Sequence, residues 1–141
     1  MSEKNLTAGL EDYIEAIYIA SSENKTIKGV ELAKILNISR ASVSEALSKL
    51  VAKGLIEYKS YGNITLTKSG ILQAKKVYAK HNILRTFFET VLGIEPQEAG
   101  DNACKIEHIV SQDVLNKIEK LTLYCSENPE VLDKIKNHLT L

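Results

Sequence analysis

Gly29-Val30-Glu31-Leu32-Ala33-Lys34-Ile35-Leu36-Asn37-Ile38-Ser39-Arg40-Ala41-Ser42-Val43-Ser44-Glu45-Ala46-Leu47-Ser48-Lys49-Leu50 decides the fold of this 141-residue chain. Val30, Leu32, Ala33 and Leu36 recur at helical spacing, which predicts a short helix over Gly29 to Leu36. Asn37-Ile38-Ser39 breaks it, and Ser39 is placed to cap a second helix from Arg40 to about Lys53. Val43, Ala46, Leu47, Leu50 and Val51 are its expected inner face. Two short helices around so tight a turn form a helix-turn-helix.

The flanking residues extend the motif. Gly54-Leu55-Ile56-Glu57-Tyr58-Lys59, then Ser60-Tyr61-Gly62-Asn63, then Ile64-Thr65-Leu66-Thr67 reads as strand, turn, strand, a β-hairpin. A helix from Leu6 to about Ser22 precedes the helix-turn-helix, with Leu10, Tyr13, Ile14, Ile17 and Tyr18 on one face and Thr7 as N-cap. The order helix, helix, helix, hairpin is that of a winged helix. The second helix of such a motif can enter the major groove of DNA. Its outward side offers Arg40, Ser42, Ser44, Glu45 and Lys49, groups suited to base edges and phosphates. Glu45 leaves two readings open: it accepts a hydrogen bond from cytosine, or it points away. Lys28, Arg40, Lys49 and the wing residues Lys59 and Tyr61 are the expected phosphate contacts, with Ser39 beside them.

Charge is zero overall but unevenly placed. Residues 1–24 carry one Lys against five acids (−4), residues 25–80 eleven Lys/Arg against three (+8), and residues 81–141 six against ten (−4). A basic middle between acidic ends fits a nucleic-acid-binding module; ordinary lysine-rich solvation is the plain alternative. Two prolines, seven glycines and 44% hydrophobic residues argue against disorder and for one compact core or two small lobes sharing a long element. No apolar run reaches membrane-span length and Met1-Ser2-Glu3-Lys4-Asn5 has no signal-peptide pattern, so a cytoplasmic protein is expected. In that compartment Cys104 and Cys125 are a ligand and a small buried residue rather than a disulfide.

Thr67 caps a long helix to about Leu92, stopped by Gly93, with His81 inside its apolar stripe. A satisfied core histidine and a ligand both fit that position. Pro96 opens a helix reaching about Val110 that contains Cys104-Lys105-Ile106-Glu107-His108. On a helix, Cys104 shares a face with Glu107 (i, i+3) and His108 (i, i+4), so thiolate, carboxylate and imidazole can converge on a first-row cation. A buried cysteine with two solvated polar neighbours is the alternative. Ser111 caps a further helix with Val114, Leu115, Ile118, Leu121 and Cys125 inside, and Asn128-Pro129 starts the last, where His138 is expected at the surface. Phe87, Phe88, Leu115, Ile118, Leu132 and Ile135 exceed what so small a lobe can bury, which predicts a homodimer built from the helices after about Ile83.

Together these blocks resemble the metal-dependent repressors of the diphtheria-toxin-repressor and manganese-transport-regulator (DtxR/MntR) family. The resemblance runs from about Leu10 to Leu123. It rests on Glu11-Asp12-Tyr13-Ile14-Glu15-Ala16-Ile17-Tyr18, the winged helix with Ser42-Val43-Ser44, Thr67-Lys68-Ser69-Gly70, and Asn102-Ala103-Cys104-Lys105-Ile106-Glu107-His108. It implies a metal site of Asp12, Glu15, His81, Cys104, Glu107 and His108. Manganese-type members carry the Asp12/Glu15 pair, iron-type members the Cys-x-x-Glu-His block, so this chain is a hybrid. Asp12, Glu15 and Glu107 would otherwise face one another as like charges; the plain reading of Glu11, Asp12 and Glu15 is a solvated face favoured by the dipole of the first helix. Arg85 and Gly100 stand where the iron-type ancillary site has an acid and a histidine, and the SH3-like domain of longer members is expected to be missing.

The resulting expectation is a mostly α protein: an N-terminal winged helix-turn-helix (three helices plus a β-hairpin wing, residues 1–73), then an all-helical metal-binding and dimerisation domain (74–141). The resemblance implies a homodimeric repressor of metal-uptake genes, activated by Fe²⁺ or Mn²⁺ (Co²⁺ or Zn²⁺ in vitro) and bound to near-palindromic double-stranded operator DNA, with no membrane partner. The competing classes are a winged-helix regulator without a functional metal site, told apart by indifference to chelation, and, more remotely, a metalloenzyme, against which no base or nucleophile stands beside the cluster.

Overall fold

The computed structural model describes residues 6–58 and 62–140. The chain folds as two compact units, one ending at Val77 and one beginning at Tyr78, so that the long helix α4 (Lys68–Thr90) contributes to both.

In the first unit α1 (Ala8–Ser22) starts where the Thr7 hydroxyl accepts a hydrogen bond from the Leu10 amide at 3.3 Å. Helix α2 (Gly29–Leu36) stops because Asn37 turns left-handed, at φ 54°. Helix α3 (Arg40–Ala52) begins at Ser39, whose Oγ accepts from the Ser42 amide at 3.1 Å. Strands β1 (Ile56–Tyr58) and β2 (Ile64–Leu66) pair antiparallel in the register Ile56↔Leu66 and Tyr58↔Ile64, and the Ile64 amide donates to the Ile27 carbonyl at 2.8 Å. One core holds the unit together: Ile14, Ile17, Leu32, Val43, Leu47, Leu50, Ile56 and Ile64, all essentially inaccessible. This is the three-helix, hairpin order of a winged helix. Val30 and Val51, expected on inner faces, are instead 42% and 44% exposed, because α2 and α3 each bury a narrower stripe than their apolar residues outline. Ile71 is likewise exposed at the start of α4.

Thr67 and Gly70 pin α4 beneath the hairpin. The Thr67 hydroxyl donates to the Gly54 carbonyl at 2.6 Å and accepts from the Gly70 amide at 3.1 Å, while the Thr67 amide donates to the Leu55 carbonyl at 3.0 Å. Gly70 lies so close to the Leu55 carbonyl oxygen that any Cβ would collide with it. A glycine is required by the packing here, not by backbone conformation.

In the second unit α4 is joined by α5 (Pro96–Ile106), α6 (Gln112–Glu127) and α7 (Pro129–Leu139). Pro96 at the first helical position and Ser111 as N-cap act as the sequence predicts. The core is small: Leu84, Ala103 and Leu115, with Ile83, Phe88, Ile106, Val110 and Ile118 packed around them. Cys125 is buried and His138 exposed, as expected. Three expectations shift. Helix α4 ends at Thr90, two residues short of Leu92. Helix α5 ends at Ile106, since Glu107 to Ile109 form a turn. Val114 and Leu121 are 47% and 45% exposed rather than inside, because α6 turns only the stripe through Leu115, Ile118, Thr122 and Cys125 inward. Among the described residues no helix is long and apolar enough to cross a membrane.

Candidate functional site

Three of the four second-unit ligand candidates meet through one imidazole. His81, in the middle of α4, has Nδ1 2.9 Å from Glu107 Oε2 and 3.6 Å from Cys104 Sγ. Across the same carboxylate, His108 Nε2 stands 3.5 Å from Glu107 Oε1. The local chain explains the convergence. Cys104 is in the last turn of α5, and Glu107 keeps helical dihedrals as its C-cap, its amide still bonded to the Ala103 carbonyl at 2.9 Å. The i, i+3 relation of Cys104 and Glu107 therefore survives the helix end. His108 falls in the turn beyond, and reaches the carboxylate from the other side.

Burial gives the cluster its chemistry. The side chain of Glu107 is wholly inaccessible, those of His108 and His81 are 9% and 12% exposed, and Cys104 is exposed. Glu107 Oε1 is buried with no hydrogen bond. A buried carboxylate oxygen left so is costly unless a cation or a proton satisfies it. The donor set, one thiol, one carboxylate and two imidazoles, fits a divalent first-row ion: nitrogen suits iron, cobalt and zinc, oxygen suits manganese, and sulfur adds preference for the softer ions. The ring of Tyr78, one turn before His81 on α4, is stacked on the imidazole at a centroid distance of 6.5 Å, and orients it. No motif in the sequence singles out Tyr78, although its i, i+3 spacing from His81 signals the contact.

Asp12 and Glu15 lie on α1 in the first unit, at i, i+3 spacing, and Glu15 is buried there beside Tyr13 and Ile14. A buried acid in a helix face that otherwise carries Leu10, Ile14 and Ile17 departs from the solvated face that acids near a helix N-terminus usually form.

The prospective DNA face also lies in the first unit. Lys28, Ser39, Arg40, Ser42, Ser44 and Lys49 are all exposed. Lys59 and Tyr61 lie outside the described residues. A cavity of about 360 Å³ runs between the starts of α2 and α3 and the hairpin, with Lys28, Gly29, Arg40, Ser44, Tyr58 and Gly62 in its wall. Lys28 precedes α2 without a side-chain cap, so cationic side chains flank helical amides open to an anion. Ser39 and Ser42 are committed to each other, Oγ to Oγ at 2.9 Å, in addition to the cap. Glu45 faces outward and pairs with Lys49 at 3.4 Å. Burial, and next the nearby Glu45 carboxylate, hold the Tyr13 phenol above its usual range.

Comparison with known proteins agrees with both halves of this description. The family profile described as iron dependent repressor, N-terminal DNA binding domain matches residues 5–64, and that described as iron dependent repressor, metal binding and dimerisation domain matches residues 67–136. An uncharacterized HTH-type transcriptional regulator of Methanocaldococcus jannaschii is 39% identical over 115 residues, covering 81% of this chain and 92% of that protein. The HTH-type transcriptional regulator MntR of Lysinibacillus sphaericus is 27% identical, covering 92% and 93%. A solved manganese-dependent transcriptional repressor in complex with manganese superimposes with a TM-score of 0.75 at 30% identity, over 80% of this chain and 52% of that one. The chain thus spans about half the length of that repressor and of the solved manganese regulator SloR.

Proposed function

The chain belongs to the iron-dependent repressor family of DtxR and MntR, and from that membership we propose a metal(II)-activated transcriptional repressor of metal-uptake genes. The observation that carries the metal half of this reading is Glu107, a buried carboxylate between His81, His108 and the thiol of Cys104. In this reading the protein binds operator DNA and is not an enzyme.

His81, Cys104, Glu107 and His108 hold the ion in this reading, with Asp12 and Glu15 as further ligands on the strength of the family resemblance and their spacing along α1. When bound there, a divalent ion would supply the positive charge that the buried Glu107 carboxylate lacks, and its binding would compete with protons on the histidines and the thiol. DNA binding is assigned to residues 1–73, and metal binding and dimerisation to 74–141. In the homodimer, two copies of α3 address the half-sites of a near-palindromic operator, Arg40, Ser44 and Lys49 being placed for base edges and phosphates, with Lys28 and the wing's Lys59 and Tyr61 on the backbone. If metal occupancy raises DNA affinity, operator DNA tightens metal binding by the same factor. The cytoplasm is the compartment this activity requires.

Operator binding titrated separately with Fe²⁺, Mn²⁺, Co²⁺ and Zn²⁺ against a chelator control tests the reading. Activation by Fe²⁺ or Mn²⁺ and its reversal by chelation are expected. Binding indifferent to chelation would leave a winged-helix regulator without a working metal site.

A further inference from the structure

We propose that Glu45 is a specificity-determining residue of this repressor, reading the exocyclic amino group of a cytosine in the major groove. The inference rests on the reading of α3 as the helix that enters the groove.

Helix α3 buries Val43, Ala46, Leu47 and Leu50, which fixes its opposite face. At 100° per residue that face centres on Ala41, Glu45 and Ser48, all exposed. A methyl group and a single hydroxyl flank Glu45 one turn to either side. Glu45 is therefore the side chain on this face with both reach and charge. It lies in the N-terminal half of the helix, the half that meets base edges in helix-turn-helix docking.

Charge makes that position selective. A carboxylate brought among phosphates is repelled unless a donor meets it. In the major groove guanine presents two acceptors and thymine one, adenine an amino donor beside the N7 acceptor that repels a carboxylate, and cytosine its N4 amino group alone; carboxylates pair with that group. Glu45 thus rewards one base and penalises guanine, which is discrimination by repulsion as well as attraction. Lys49 makes the arrangement workable. Its ammonium lies 3.4 Å from the Glu45 carboxylate, with 59% and 72% of the two side chains exposed, so the pair is weakly held and both groups remain free to take new partners. In the groove Lys49 neutralises the carboxylate from one side and contacts a phosphate from the other. Glu45 takes no part in the α3 cap and is largely exposed, its carboxylate acting on the nearby core residue Tyr13 as a charge, so its replacement leaves α3 intact.

The test uses the full chain loaded with Co²⁺. Operator duplexes are selected from a random pool, and affinities are then measured for every single base-pair change in one half-site, for the parent, Glu45→Gln and Glu45→Ala. The parent should disfavour loss of one C·G pair per half-site by about tenfold or more, guanine in place of the cytosine being worst. Glu45→Gln should move that preference to adenine, and Glu45→Ala should flatten it. Because each profile is a ratio between duplexes, a uniform gain in affinity from losing a negative charge cancels. Unchanged profiles in both variants, with all duplexes bound more tightly alike, would show Glu45 to be a repulsive bystander and overturn the proposal. Arg40→Ala separates the two layers of inference: if it leaves affinity for every duplex unaltered, α3 is not in the groove, and the docking itself falls.

Discussion

Replacing Glu107 by Gln asks whether the buried cluster is a metal site or a structural ion pair, because the two predict opposite signs without metal. Gln keeps the shape. Its carbonyl can accept from His81 Nδ1, 2.9 Å from Glu107 Oε2, and its amide can donate to His108 Nε2, 3.5 Å from Oε1. The variant removes a charge whose side chain is wholly inaccessible and gives a partner to an oxygen that has no hydrogen bond. In chelator, Glu107→Gln should therefore equal the parent or exceed it by up to about 2 kcal/mol, as when buried charges give way to neutral groups of like volume. With metal the order reverses. A lost anionic ligand should weaken affinity by about a hundredfold; at a metal concentration 100 times the parent's Kd, the parent gains about 2.7 kcal/mol and the variant about 0.4 kcal/mol. Thermal unfolding in chelator and in excess Co²⁺ measures both, each unit followed by its own probe. A variant destabilised by about 1–3 kcal/mol in chelator, with the parent's full gain on adding metal, would refute the metal assignment and make Glu107 a structural partner of His81.

Three further outcomes are expected. Cys104→Glu makes every carboxylate-position ligand hard and should shift activation towards Mn²⁺ relative to Fe²⁺ by about tenfold, or 1.4 kcal/mol; an unmoved ratio of activating concentrations, measured anaerobically, would place the thiol outside the coordination shell. Gly70→Ala should destabilise the first unit by about 2 kcal/mol, since overpacking against the Leu55 carbonyl outweighs alanine's roughly 1 kcal/mol helical advantage, and urea titration checks it. The Leu55 oxygen cannot retreat easily, because it already accepts from Thr67. Lys28→Ala should lower the log–log salt slope of operator binding by about one unit and weaken all duplexes alike, whereas an unchanged slope would remove Lys28 from the phosphate contacts.

Local patterns carried much of this protein. The interruption at Asn37-Ile38-Ser39, the caps Thr7, Ser39 and Ser111 and the helix start at Pro96 act within a few residues, so the sequence determined the order of elements, the hairpin and the Cys104–Glu107 spacing. Their periodicity did not say how much of each apolar stripe would be covered. Val30, Val51, Val114 and Leu121 are exposed because coverage depends on which neighbour arrives, and neighbours are set by long-range packing. The same limit left His81 ambiguous in the sequence, where a histidine in an apolar stripe fits a core as well as a site. Tertiary structure brings Glu107, 26 residues away, to within 2.9 Å of the imidazole and buries that carboxylate, which supports the ligand reading proposed above. Sequence offered the candidate donors. Only packing could strip their water, and dehydration is what makes a buried carboxylate beside two imidazoles and a thiol favour a cation.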